Sequence, residues 1–122
     1  MGSHILIVED NTDNWRLLTW ILEDEGHSFI VSESAEDAFD VLERDEFDLI
    51  LMDISLPGID GKEATRMLRK DSRFAEIPIV AVTAHAIKGL DSEILASGMT
   101  TLVTKPIDEE QFLETLRSIL AA

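Results

Sequence analysis

The segment DLILMDISLPG, residues 48–58, runs four consecutive apolar side chains into a carboxylate and then into a proline-glycine turn. A strand covered on both faces reads as an unbroken apolar run, whereas a half-exposed strand alternates. Residues 48–52 therefore read as a central strand of a layered fold, with Asp53 just beyond it. Taken alone, an aspartate before Ser55-Leu56-Pro57-Gly58 is more simply a turn-initiating residue than a reactive group. What the other strands deliver to the same edge decides between these readings.

Four further runs have the same character: HILIV (4–8), SFIVS (28–32), IPIVAVT (77–83) and TLVT (101–104). The segments between them carry helix periodicity. Leu17, Leu18, Ile21 and Leu22 share a face before Gly26, and Ser34 is placed to cap a second helix that turns Ala38, Val41 and Leu42 inward. After Gly61 the inward set is Ala64, Met67 and Leu68, and before Gly98 it is Ile87, Leu90, Ile94 and Leu95. Asp108 with Gln111 resembles a capping box ahead of Phe112, Leu113, Leu116, Ile119 and Leu120. Strand and helix in alternation predict an α/β domain, a five-stranded parallel doubly wound sheet with helices on both faces. Periodicity leaves the strand order open.

No repeat or linker divides the chain, so residues 4–122 read as one domain, with Met1-Gly2-Ser3 set aside as a cloning remnant. With 25 acidic against 10 basic residues the formal net charge is -15. That surface repels phosphate backbones, which excludes nucleic acid as a partner, and it favours cations or a basic protein patch. No apolar stretch has the roughly 20 residues needed to cross a bilayer, and no secretory signal is visible. The absence of cysteine excludes disulfides and thiolate metal sites and agrees with a cytoplasmic location.

In a parallel sheet the carboxyl ends of all strands emerge at one edge, where ligands of open α/β sheets bind. The residues ending the runs are Glu9-Asp10, Asp53, Thr83 and Lys105-Pro106, while Glu33-Ser34 ends the second run without a comparable pattern. Each has an ordinary explanation: a turn for Asp53, helix capping for Glu9-Asp10, strand propensity for Thr83, a solvated loop cation for Lys105. Together they place three carboxylates, a hydroxyl and an ammonium at one edge. Crowded carboxylates call for a cation, and a hard ion such as Mg²⁺ suits oxygen ligands. A lysine and a hydroxyl can meet an incoming anion, and the set as a whole suits transfer of a phosphoryl group onto an aspartate.

From Ile5 onward the chain resembles a response-regulator receiver domain of the CheY-like type. The resemblance rests on Ile5-Leu6-Ile7-Val8-Glu9-Asp10-Asn11, on Leu51-Met52-Asp53-Ile54-Ser55-Leu56-Pro57-Gly58 with Gly61 following, on Ala81-Val82-Thr83-Ala84 and on Thr104-Lys105-Pro106. It implies the flavodoxin-like (βα)5 strand order 2-1-3-4-5, for which this fold is a standing example. It also implies that Asp53 accepts a phosphoryl group from a phosphohistidine on a sensor histidine kinase or a histidine phosphotransfer protein, and that phosphorylation controls binding of a downstream protein target. Asp10, Asp53 and the carbonyl of Ser55 would ligate Mg²⁺, with Glu9 acting through water. Thr83 and Lys105 would bind the phosphoryl oxygens, Ala84 would keep the space beside Thr83 small, and the bond before Pro106 would be cis. Such a domain occurs alone or within a hybrid histidine kinase, and both remain open.

One position departs from the family. Three residues before Lys105, where an aromatic ring or histidine is common, this chain has Leu102. The expectation is a switch that works by apolar repacking. Ser55 and His85, two residues beyond the acceptor and the threonine, offer no carboxylate or carboxamide to orient water, so slow self-hydrolysis is expected. Trp15 should lie in partial core and Trp20 should be exposed as a contact candidate, while His4 and His27 lack metal-ligand spacing. Three competing functions stand beside this reading. A degenerate receiver serving as a scaffold would not need the complete site set. An aspartate-nucleophile phosphatase would want a second aspartate where Ser55 stands. A flavodoxin-like cofactor binder would want a Ser/Thr/Gly-rich loop where Glu9-Asp10-Asn11 stands.

Overall fold

The computed structural model describes residues 2–84 and 90–121, with side chains for all of these except 90 and 91. The elements run β1 (His4–Val8), α1 (Thr12–Asp24), β2 (Ser28–Ser32), α2 (Ala35–Arg44), β3 (Leu49–Asp53), α3 (Gly61–Arg69), a 3₁₀ turn (Ser72–Phe74), β4 (Ile79–Thr83), α4 (Leu90–Ala96), β5 (Thr101–Thr104) and α5 (Glu109–Leu120). The five strands form one sheet in the order β2-β1-β3-β4-β5, and every neighbouring pair is parallel. This is the CheY-like, flavodoxin-like architecture, as the resemblance implied.

Two strands start later than the sequence suggests. β3 begins at Leu49 rather than Asp48, because Asp48 turns its own N–H to the His4 carbonyl and its carboxylate to the His4 N–H, each at 2.8 Å. Asp53 is thereby the last residue of β3 and stands opposite Val82 of β4. β4 begins at Ile79 because Pro78 has no N–H to give the ladder.

Pleating sends alternate side chains to opposite faces, and each face has its own core. Ile5, Ile7, Leu49, Leu51, Val80, Val82 and Val103 pack against Leu18, Ile21 and Leu22 of α1 and Phe112, Leu113 and Leu116 of α5. On the other face Leu6, Val8, Ile50, Met52, Ile79 and Ala81 meet α2, α3 and α4 through Ala38, Val41, Leu42, Ala64, Leu68 and Ile94. Burial of β1, β3 and β4 on both faces explains their unbroken apolar runs.

The apolar helix stripes are narrower than the periodicity suggested. Leu17, Met67 and Leu95 were expected inward but are 41%, 43% and 47% exposed. In α3 the inward face is Gly61, Ala64, Thr65 and Leu68, an i, i+3, i+4, i+7 set whose rotation leaves Met67 on the flank. Thr65 tolerates this burial because its hydroxyl donates to the Gly61 carbonyl at 2.8 Å. Ile119 and Leu120 are half-buried against the α1–α5 core, as is Trp15, while Trp20 is 61% exposed. Ile87, and the side chain of Leu90, lie outside the described residues.

Helix ends follow local chemistry. Ser34 and Asp108 cap α2 and α5 by accepting from the N–H groups of Asp37 and Gln111, and Asn11 and Asp60 do the same for α1 and α3. Gly26, at φ 85°, takes the left-handed conformation that ends α1. Ser3 takes part in the fold: its N–H donates to His27 Nδ1 at 2.9 Å, and its carbonyl accepts from Ser28 at 3.0 Å.

Arg69, in the last turn of α3, crosses three segments. Its Nε donates to the Gly98 carbonyl at 2.8 Å, and one terminal nitrogen donates to the carbonyls of Phe74 and Ile77 at 2.8 and 2.7 Å. Partial burial lowers its pKa from the usual value, the mark of a guanidinium taken out of water for these bonds. Hydrogen bonds to charged groups are worth about 1.5–3 kcal/mol each, so Arg69→Met should destabilise the domain by about 2–3 kcal/mol after partial rehydration of the carbonyls. Urea denaturation checks this. A loss below about 0.5 kcal/mol, the range of ordinary surface substitutions, would show that Arg69 is not a tie.

Candidate functional site

The carboxyl ends of β1, β3, β4 and β5 converge on one cleft. At the end of β1 the chain turns so that Glu9 is buried, while the next residue, Asp10, faces solvent. The Glu9 N–H is held by the Ser32 carbonyl of β2 at 3.0 Å, which keeps its backbone in line with the sheet. One oxygen of its carboxylate accepts from the Asn11 N–H at 3.2 Å, and the other accepts from Lys105 Nζ at 2.9 Å.

Asp53 is 4% exposed. Its Oδ1 accepts from the Ser55 N–H at 3.2 Å, an Asx-type contact that orients the carboxylate and shapes the following turn. The same oxygen lies 3.6 Å from Lys105 Nζ. Gly61, the first residue of α3, fits only as glycine, since a Cβ there would strike the Asp53 carbonyl oxygen. Its N–H reaches the Ile54 carbonyl at 3.2 Å. Gly58, at φ 71°, makes the turn between them.

Thr83 ends β4, is buried, and stands opposite Thr104 of β5. Lys105 then donates its N–H to the Thr83 carbonyl at 2.7 Å, and the Lys105–Pro106 bond is cis. The lysine side chain is only 17% exposed and turns back over the carboxylates.

Glu9, Asp10 and Asp53 each offer a carboxylate oxygen, and these oxygens all lie within 4.8 Å of one another. An all-oxygen set of mixed burial, one member open to solvent, fits a hard divalent cation that retains water. The crowding registers on Glu9, whose pKa is raised above its usual 4.5, first by burial and then by the Asp53 carboxylate. Lys105 and the Asn11 N–H offset part of this.

The structure brings together Glu9, Asp10, Asp53, Thr83 and Lys105. The Ser55 and Ala84 side chains point to solvent at the rim. Leu102 stands away from the cleft, opposite Ala81 and half-buried against the α2–α4 core. His85 lies outside the described residues. Two parts escaped the sequence reading. Asn11 both caps α1 and donates to Glu9, a role that its place after two acidic residues could have suggested. The Glu9–Lys105 ion pair joins residues 96 apart, and no local pattern announces it.

A parallel sheet of order 2-1-3-4-5 with an acidic cluster, a threonine and a lysine at its carboxyl edge defines the CheY-like receiver class. The chain belongs to the response regulator receiver domain family, whose model matches residues 5–117. It is 39% identical over 120 residues to the polar-differentiation response regulator DivK of Brucella ovis, covering 98% of each chain. Among solved structures it resembles the receiver domain of sensor histidine kinase PA1611 from Pseudomonas aeruginosa, with TM-score 0.91, 32% identity and full coverage of both chains. That structure is described as having a magnesium ion coordinated in its active site cleft. The chemotaxis regulator CheY4 of Vibrio cholerae, 24% identical over 98% of this chain and 99% of its own, shares the fold with TM-score 0.91. The chain is thus the receiver domain of a two-component response regulator.

Because the folded-state pKa of Glu9 is raised, its contribution to stability is full below pH 4.5 and is lost as pH rises through the raised value. At neutral pH without divalent cations, Glu9→Gln should therefore be more stable than the parent. Millimolar Mg²⁺ should reverse the order, since the parent keeps the full carboxylate set. Thermal melts in chelator and in Mg²⁺ check both signs, and a variant less stable than the parent in chelator would refute the crowding.

Proposed function

We propose that this receiver is the phosphoacceptor switch of a two-component phosphorelay, with Asp53 taking a phosphoryl group from a phosphohistidine. The observation that carries the reading is the placement of the Asp53 carboxylate. It is buried at the end of β3, oriented by the Ser55 N–H, and set 3.6 Å from a lysine that also binds Glu9. The Ser55 contact alone would suit a turn residue; burial beside a lysine shared with a second buried carboxylate would not.

In the transfer, a carboxylate oxygen of Asp53 bonds to phosphorus as the bond from phosphorus to the imidazole nitrogen breaks, and the leaving imidazole keeps the electron pair. Asp10, Asp53 and the Ser55 carbonyl would hold Mg²⁺, with Glu9 acting through water, and the ion would draw charge from the phosphoryl oxygens. Lys105 would pivot from Glu9 to pair with the arriving anion, and the Thr83 hydroxyl would donate to it. The donor is a sensor histidine kinase or a histidine phosphotransfer protein, and a downstream protein reads the result. We assign the reaction to the cytoplasm, in keeping with a chain in which no helix among the described residues is long and apolar enough to cross a membrane.

Readout must pass by Leu102 without an aromatic ring. Leu102 packs beside the β strand that ends in Thr83 and against the α2–α4 core, so a shift of Thr83 is passed on by apolar repacking. The exposed Ser55 leaves the acyl phosphate without a carboxylate or carboxamide at that position, which favours slow hydrolysis.

Phosphotransfer from a panel of phosphorylated kinases and from acetyl phosphate tests the acceptor. Asp53→Asn should incorporate nothing, and Lys105→Ala should slow incorporation by about 100-fold, the usual cost of removing one charge-stabilising donor. Failure of every donor with the parent chain would favour the scaffold reading, and multiple turnover of a phosphate ester would favour the phosphatase. For the switch, Leu102→Gly should lose discrimination between partners of the phosphorylated and unphosphorylated forms in a pull-down with beryllofluoride and Mg²⁺. Parent-like discrimination would refute repacking through Leu102.

A further inference from the structure

At the amino-terminal ends of β3 and β4, the loop leaving α2 and the segment entering β4 part to leave an open groove of about 1100 Å³. Its floor is apolar: Leu42, Phe47, Phe74, Ile77 and Pro78. Leu42 is buried and the other four are half-buried, so each presents part of its surface to the groove while being fixed from behind.

The aromatic edge is rigidly supported. Phe47 stacks on His4 with ring centroids 4.6 Å apart and planes within 8°. His4 is held in turn by Ser28 Oγ at 2.7 Å and by Asp45 Oδ2 at 3.0 Å. Phe74 lies under the Arg73 guanidinium, 4.9 Å from its centroid.

The rim is acidic. Glu43, Asp45, Glu46 and Asp48 line it, against Arg44 and Arg73. Arg73 is taken up by two carboxylates, Glu43 in a bidentate pair at 2.7 and 3.0 Å and Asp71 at 2.7 Å. Asp45 and Asp48 are engaged by His4, Asp45 by the ring at 3.0 Å and Asp48 by the backbone N–H at 2.8 Å. Arg44 bends its Nε to the Asp40 carbonyl of its own helix, so among the described residues Glu46 is the rim carboxylate left open, and four rim carboxylates stand against two guanidiniums.

We propose that this groove is a docking site for a basic amphipathic peptide segment of a partner protein, one that sets bulky apolar side chains on the floor and lysine or arginine against the loop. Charge complementarity chooses the occupant. A second copy of this chain, at formal net charge -15, would bring like charge to an acidic rim. An uncharged apolar segment would leave Glu46, and the excess of rim carboxylates over guanidiniums, without a counterpart.

The groove lies at the opposite pole of the sheet from Asp53. Strands of five residues separate the two ends by about 16 Å of extended backbone. Docking there leaves the acceptor edge open, so the groove can hold the receiver on a partner while the other pole is read.

The test is an amide-resolved NMR titration with an acetylated, amidated peptide that alternates lysine with leucine and phenylalanine. Shifts should cluster at residues 42–48 and 73–78. Glu46→Lys, which touches neither core nor site, should weaken binding about fivefold, the scale of one charge contact at a surface. Phe47→Leu should weaken it while leaving the fold intact by circular dichroism. Shifts centred instead on Glu9, Asp10 and Asp53 or on the acidic start of α5 would overturn the proposal. So would equal binding of the glutamate version of the peptide, or of spermine, which carries charge without apolar groups.

Discussion

The site depends on one ammonium group. Lys105 Nζ stands between Glu9 and Asp53, two carboxylates that the fold has taken almost wholly out of water. Without that cation, or a metal in its place, burying both would cost several kcal/mol. The pairing also holds the end of β5 against the end of β1, two strands that are not neighbours in the sheet. The edge strand is therefore fastened across the cleft by the charge that an arriving anion would compete for. The stability of the sheet edge and the charge of the cleft meet in the same side chain.

Much of this was legible in the sequence, for a physical reason. Strands buried on both faces cannot alternate, so β1, β3 and β4 announced themselves as apolar runs, and their ends pointed to the cleft. Serine and aspartate caps were readable because they act over three residues. Rotation of the helices was less readable. Leu17, Met67 and Leu95 satisfy the periodicity as well as their buried neighbours do. What excludes them is tertiary: α3 must put Gly61 against the Asp53 carbonyl, and that contact sets which residues face inward.

Long-range polar contacts were the least readable. The Glu9–Lys105 pair, the Arg69 tie to Gly98 and the His4–Asp45 contact each join positions that no window on the sequence contains. The family resemblance supplied an expectation for Lys105 but none for Arg69 or His4. Motifs report the chemistry a family shares, whereas a single chain's own fastenings appear only in three dimensions.

Helix α3 carries a consequence for how such a chain can diversify. One end is fixed by glycine against the carbonyl of Asp53, and the other grips three carbonyls through Arg69. The length between these anchors is set by helical rise, about 13 Å for nine residues, and not by the identity of the side chains that face water. Glu63, Arg66 and Met67 stand on that outer side. Drift at those positions can rewrite the address the surface presents to other proteins while the spacing between Asp53 and the far anchor stays constant. The helix separates what may vary from what may not.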